Sequence, residues 1–168
     1  MSSWLGLKKI NYGEEITYEQ QIISDNLDRS DLIIIDRQVT DKKMRNRMDM
    51  LALKLVEGNR YKFLVFEVKL GRSDELSESV AQQLRMYVDH IRCNFKDYKE
   101  CYETQYVQKK YLGLLRVPLY ESIQIENEVD GCVLAVGYSG PARDKIEELK
   151  SRHPDIKVIE KNLRLELF

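Results

Sequence analysis

The amino-acid sequence predicts a single α/β domain, and three observations carry that expectation. At 168 residues the chain is long enough to bury one core without disulfides or a structural metal. Brief apolar or β-branched runs of strand length alternate with longer stretches whose apolar residues recur at helical spacing. No internal repeat, low-complexity tract or linker interrupts them, so residues 1–168 read as one unit.

Residues 14 to 28 read as a helix, because Ile16, Ile22, Ile23 and Leu27 recur at roughly helical spacing, with Glu15 and Glu19 sharing a face. Asp31 to Val39 holds Leu32-Ile33-Ile34-Ile35, brief and β-branched, which suits a buried strand. Met48 to Val56 and Tyr61 to Leu70 flank the turn-forming Glu57-Gly58-Asn59-Arg60 and read as a β-hairpin. Gly71-Arg72-Ser73-Asp74 then breaks the strand and offers Ser73 or Asp74 as a helix N-cap. The helix that follows carries the stripe Leu76, Val80, Leu84, Tyr87, Val88 and Ile91.

Residues 94 to 112 are tyrosine-rich and helical in character, and residues 117 to 130 read as a variable loop after Val117-Pro118. Gly131-Cys132-Val133-Leu134-Ala135-Val136-Gly137 has the continuous apolar character of a fully buried strand. Pro141 suits the first position of a helix running to about Arg152, which His153-Pro154 stops. Ile156 to Ile159 and Leu163 to Leu167 supply one or two last strands.

Charge and cysteine usage narrow the class. The 27 basic and 28 acidic residues nearly cancel, so any nucleic-acid surface must be local rather than global. Asp41 to Arg47 is such a patch, with Lys42, Lys43, Arg45 and Arg47, and it lies directly before Asp49. A charged segment between strands is as often a plain solvated loop; its position is what gives it a functional reading. Cys93, Cys101 and Cys132 are odd in number, with no Cys-x-x-Cys and no histidines at zinc spacing, which suits a reduced, cytoplasmic protein. The N-terminus lacks a long apolar core and no apolar run approaches bilayer length, so neither secretion nor membrane insertion is expected.

The chemistry-bearing residues lie on the hairpin and the next helix. Residues two apart on a strand share a face, so Glu67 and Lys69 project together. A hairpin turn centred near residues 58 to 59 places Asp49 near Val68, within one residue of both. Two carboxylates on rigid strands suit Mg²⁺, which commonly binds through one or two carboxylates, waters and a substrate phosphate. Lys69 beside them can orient the nucleophile and offset charge developing at phosphorus, or act as a general base if its pKa is depressed. Gln83 and Tyr87, four apart, stack on one helical face; Gln83 can reach a water or phosphate while Tyr87 holds the helix to the sheet. Glu19 is a candidate further acid. Each residue alone is more often ordinary surface or core; in order on strand, strand and helix they are far more specific.

In that order the residues resemble the PD-(D/E)XK nuclease superfamily, and most of all the catalytic domain of NucS-type endonucleases and RecB-like nuclease domains. The likeness rests on Glu19, the Leu32-to-Val39 strand, Met48-Asp49-Met50-Leu51-Ala52, Phe66-Glu67-Val68-Lys69, Gln82-Gln83-Leu84-Arg85-Met86-Tyr87 and the strand-helix-strand from Val129 to Leu167. Met48 replaces the proline of the name, Asn46-Arg47 stands where relatives often have glycine, and residues 98 to 128 would be a family-specific insertion.

The resemblance implies a restriction-endonuclease-like αβββαβ core, a central mixed β-sheet flanked by helices. It implies Asp49 and Glu67 as ligands of Mg²⁺ or Mn²⁺, Lys69 and Gln83 as catalytic partners, and Glu19 and Tyr87 as support. DNA is the implied substrate, of an endonuclease in repair, restriction or mobile-element processing, and a homodimer is compatible with it. Lys42, Lys43, Arg45, Arg47 and Arg72 are the candidate phosphate contacts. The alternative is a catalytically silent nucleic-acid- or protein-binding module on the same fold. Tyr98, Tyr102, Tyr106, Tyr111 and Tyr120 could stack bases, but packing or a dimer interface explains their spacing equally well. His90 and His153 carry little weight.

Overall fold

A computed structural model describes residues 2–42, 44, 46–116, 118, 120–137, 140–161 and 167, with side chains described from Gly13 onward except at 140 and 141. Five strands form one sheet in the order β1-β2-β3-β4-β5: β1 (Leu32–Val39), β2 (Met48–Glu57), β3 (Arg60–Leu70), β4 (Gln124–Val136) and β5 (Lys157–Lys161). The first three pair antiparallel, while β4 runs parallel to β3 and β5 parallel to β4. The sheet is therefore mixed, with helices on both faces. Among the described residues no helix is long and apolar enough to cross a membrane.

Strand β3 sits at the centre because its sequence leaves it no exposed face: every residue from Phe63 to Leu70 is buried. One face, with Met50, Ala52, Leu64, Phe66, Val68 and Leu134, packs with Ile22 and Tyr18 of α1 (Ser2–Asp25). The other, with Leu51, Leu53, Phe63, Val65 and Val133, packs under α2 (Glu78–Cys93), α3 (Phe95–Tyr111) and α4 (Gly140–Arg152). Gly131 lets α2 approach β4 closely: a Cβ there would stand 2.9 Å from Leu84 Cγ.

Four expectations are corrected. Helix α1 begins at Ser2 rather than near residue 14. Helix α2 starts after Ser77, not Ser73 or Asp74: Ser73 Oγ accepts from the Glu75 N–H at 3.2 Å, and Asp74 pairs with Lys145 Nζ at 2.8 Å. Residues 124–130, read as loop, belong to β4. They pair in parallel with Arg60 to Leu64 of β3, and on the other side, beyond the end of β5, Lys99 Nζ donates to the Ile125 carbonyl at 2.6 Å and Glu103 Oε1 accepts from the Ile125 N–H at 2.7 Å. Helix α3 thus supplies the partner that a neighbouring strand would give. Finally, the hairpin is bulged between Leu55 and Glu57, which moves the register by one residue from the simple count. The expected strand at Leu163–Leu167 lies outside the described residues except for buried Leu167, whose N–H donates to Asn26 Oδ1 at 2.8 Å.

Candidate active site

The bulge decides how the carboxylates meet. Met50 pairs with Phe66, so one step further along the ladder Asp49 falls opposite Glu67 rather than Val68, and the two share a sheet face. The alternation that turns Phe63 and Val65 toward α2 turns Glu67 and Lys69 the same way. All three residues lie where β3 and β4 run out in parallel, a place where α/β sheets commonly leave a ligand crevice. Asp49 is held there by its own backbone contact: Oδ2 accepts the Val68 N–H at 2.8 Å.

Glu67 is fully buried and Lys69 only 5% exposed. Lys69 Nζ donates to Glu67 Oε1 at 2.8 Å and reaches Glu75 Oε2 at 3.6 Å. Glu67 Oε2, in contrast, has no hydrogen-bond partner among the described residues. A buried, half-satisfied carboxylate is costly, and such groups concentrate at binding sites. Desolvation, reinforced by the Asp49 charge, pushes the Glu67 carboxyl up to about 8. Burial also raises Asp49, although Lys69 and the Val68 N–H oppose it. For Lys69, burial favours the neutral amine, but Glu67 and Asp49 outweigh it and hold the ammonium above its ordinary pKa. The two carboxyls thus favour the charged form of Lys69.

Helix α1 closes the site from the side. Glu19 is 2% exposed, and Gln38 Nε2 donates to both its oxygens at 2.8 and 2.9 Å. Desolvation raises it to about 7 against that hydrogen bond. Glu15, one turn earlier, is also raised by burial while feeling Lys69 and Asp49 and bonding the Leu70 backbone. Glu15 and Glu75 belong to the electrostatic cluster although the sequence did not single out either as a site residue. Glu15 was signalled by sharing a helical face with Glu19; Glu75 had no signal, because its contact depends on how the turn after β3 folds.

Gln83 and Tyr87 are close to the site but engaged with each other. Gln83 Nε2 donates to Tyr87 Oη at 2.7 Å, and Tyr87 Oη donates to the Arg47 carbonyl at 2.8 Å. Gln83 thus orients Tyr87, and Tyr87 ties α2 to the segment leading into Asp49. Lys42, Arg47 and Arg72 are exposed; Arg72 pairs with Glu14. Lys43 and Arg45 lie outside the described residues. Tyr98, Tyr102 and Tyr106 are buried and pack as core, the first two edge-on to Phe63 at 6.3 and 5.8 Å, so these three are not available to stack bases. His90, given little weight from sequence, bonds Asp41 Oδ2 through Nε2 at 2.9 Å.

Among the described residues, no group of three or more His, Cys, Asp or Glu side chains surrounds one point as a ready-made metal cage. Asp49 and Glu67 are two oxygen donors, and Mg²⁺ commonly takes one or two carboxylates and completes its shell with water and phosphate. The unpartnered Glu67 oxygen and the crowded carboxylates fit a divalent cation chemically. In comparisons with family models, curated proteins and solved structures, nothing matches this chain.

Proposed function

We propose that the chain is a divalent-metal-dependent nuclease that hydrolyses DNA phosphodiester bonds on a restriction-endonuclease-like core of the PD-(D/E)XK type. The observation that carries the reading is Glu67: fully buried, one oxygen on Lys69, the other unpartnered, and Asp49 opposite it. The element order, with β4 parallel to β3 beside an antiparallel meander, supports it.

Asp49 and Glu67 would hold Mg²⁺ or Mn²⁺, which when bound supplies Lewis acidity toward the phosphoryl group and activates water. The protein's part is positional and electrostatic. Strands β2 and β3 fix both carboxylates on rigid backbone, and the Val68 N–H sets the rotamer of Asp49. Lys69 stays an ammonium and stabilises the extra negative charge that develops on the phosphoryl oxygens. Glu19 and Glu15 complete the carboxyl cluster from α1 and leave Lys69's hydrogen bond to Glu67 in place.

The test is cleavage of single-stranded, double-stranded and branched DNA with Mg²⁺ or Mn²⁺, alongside Glu67→Gln. Cleavage that requires the metal and disappears in the variant is expected. No cleavage with any divalent ion, or undiminished cleavage by the variant, overturns the reading. A second reading, a silent binding module, is favoured by the near balance of 27 basic and 28 acidic residues. It predicts no Mn²⁺ binding by calorimetry.

A further inference from the structure

Helix α2 grips both ends of the segment between β1 and β2. At one end Tyr87 Oη donates to the Arg47 carbonyl at 2.8 Å; at the other His90 Nε2 meets Asp41 Oδ2 at 2.9 Å. Tyr87 and His90 are three apart, hence neighbours on one helical face. The second grip is buttressed. His90 and Asp41 are only 13% and 24% exposed in their side chains, and the Tyr98 ring stands edge-on to His90 at 5.8 Å. Tyr98 also hydrogen-bonds Asp41, so α2 and α3 converge on that carboxylate.

Between the grips, Lys42 and Arg47 are exposed, and two residues past Arg47 the chain becomes the metal-ligand candidate Asp49. The Arg47 charge already acts on Asp49. A helix holding a loop at one point is ordinary packing. Two grips, one fixed by Gln83 through Tyr87 and the other by Tyr98, hold the strap's ends against the helix that flanks the site.

We infer that the two gripped ends of this strap, Asp41–Lys42 and Asn46–Arg47, are pre-set to meet the phosphate backbone of a nucleic acid, and that His90 is a positioning residue that fixes the first of them through Asp41. The inference rests on the nuclease reading. Its physical basis is preorganisation: ends held before binding lose less conformational freedom when Lys42 and Arg47 engage phosphates. His90 touches neither phosphate nor metal; it acts through Asp41.

The experiment measures binding of a fluorescently labelled 20-base-pair duplex in EDTA, so that no cleavage intervenes, across a series of salt concentrations. His90→Phe, which keeps an aromatic edge contact with Tyr98, and Asp41→Asn are each expected to weaken binding about tenfold. They are expected to lower the slope of log affinity against log salt by about one, as one phosphate contact is lost. The double variant should be no weaker than either single, because both break one grip. Circular dichroism and melting temperature check the fold; should His90→Phe fail to fold, Asp41→Asn decides. Affinity and salt slope unchanged in folded variants, or fully additive losses, overturn the strap while leaving the nuclease reading intact. A wild-type chain that binds no duplex but cleaves DNA with Mn²⁺ overturns the strap alone; one that does neither overturns both.

Discussion

Lys69 is where the balance of the site is decided. Its ammonium is hydrogen-bonded to Glu67 and 3.6 Å from Glu75, and its charge lowers the cost of ionising Asp49 and Glu15 as well. Replacing it by methionine keeps the stem and removes the charge. A divalent cation near Asp49 and Glu67 then loses a repulsive neighbour, so Mn²⁺ should bind Lys69→Met several-fold tighter by calorimetry. Cleavage should fall at least about 100-fold, the usual scale for losing a group that stabilises transition-state charge. Weaker Mn²⁺ binding in this variant would instead make Lys69 a scaffold for Glu67. Glu19 allows a complementary measurement. Its folded pKa, about 7, lies above the ordinary 4.5, so the folded state binds the proton more tightly than the unfolded chain. Stability from this group is full below about pH 4.5 and declines as pH rises toward 7. Glu19→Gln removes that decline while keeping an acceptor for Gln38. The variant should match wild type near pH 4.5 and exceed it at pH 8 by on the order of 2 kcal/mol, read from urea unfolding. A wild-type stability that does not fall between those pH values relative to the variant would contradict the burial argument.

At the scale of elements, what the sequence disclosed follows from periodicity. The hairpin turn, the β3 run and the α2 stripe each have a local signature, and each stands near where that signature placed it. The site was legible to the same depth: strand alternation put Glu67 and Lys69 on one face, and counting brought Asp49 within a residue of them. What was illegible depended on contacts between distant segments. The bulge at Val56 that brings Asp49 opposite Glu67 has no residue signature, since valine is ordinary strand sequence. Ile125 to Asp130 looked like loop because Glu126-Asn127-Glu128 is polar, and only its parallel pairing with β3, about 60 residues earlier, and the α3 contacts at Ile125 show why it is strand. Glu103 and Lys99 saturate the backbone of Ile125 where β5 no longer reaches it. Glu103→Ala should therefore raise hydrogen exchange at the Ile125 amide by about tenfold, while amides of Cys132 to Val136, paired on both sides, keep their protection. Uniform acceleration along β4 would show that the strand opens as a unit and that the α3 contact is incidental.

For the whole molecule, net charge and local charge diverge, and that separation has a thermodynamic consequence. A formal charge of −1 provides no long-range attraction for DNA, yet four carboxyl groups, Asp49, Glu67, Glu15 and Glu19, gather at the end of the sheet, each with its pKa raised by burial. The folded chain bears the cost of burying those carboxyls in exchange for a prearranged cation site, whereas in the unfolded chain water solvates them. A ligand that binds only the folded state stabilises it by mass action, about 2.7 kcal/mol at a hundred times its dissociation constant. In a domain of this size that corresponds to a rise in melting temperature of about 5–10 °C. Mn²⁺ at that excess over its calorimetric dissociation constant should give such a rise in wild type. Glu67→Gln, which keeps the shape of the side chain but not its charge, should melt at the same temperature with and without Mn²⁺. Equal rises in both proteins would place the bound ion elsewhere on the surface, and Glu67 would then be a buried acid with no metal to justify its unpartnered oxygen.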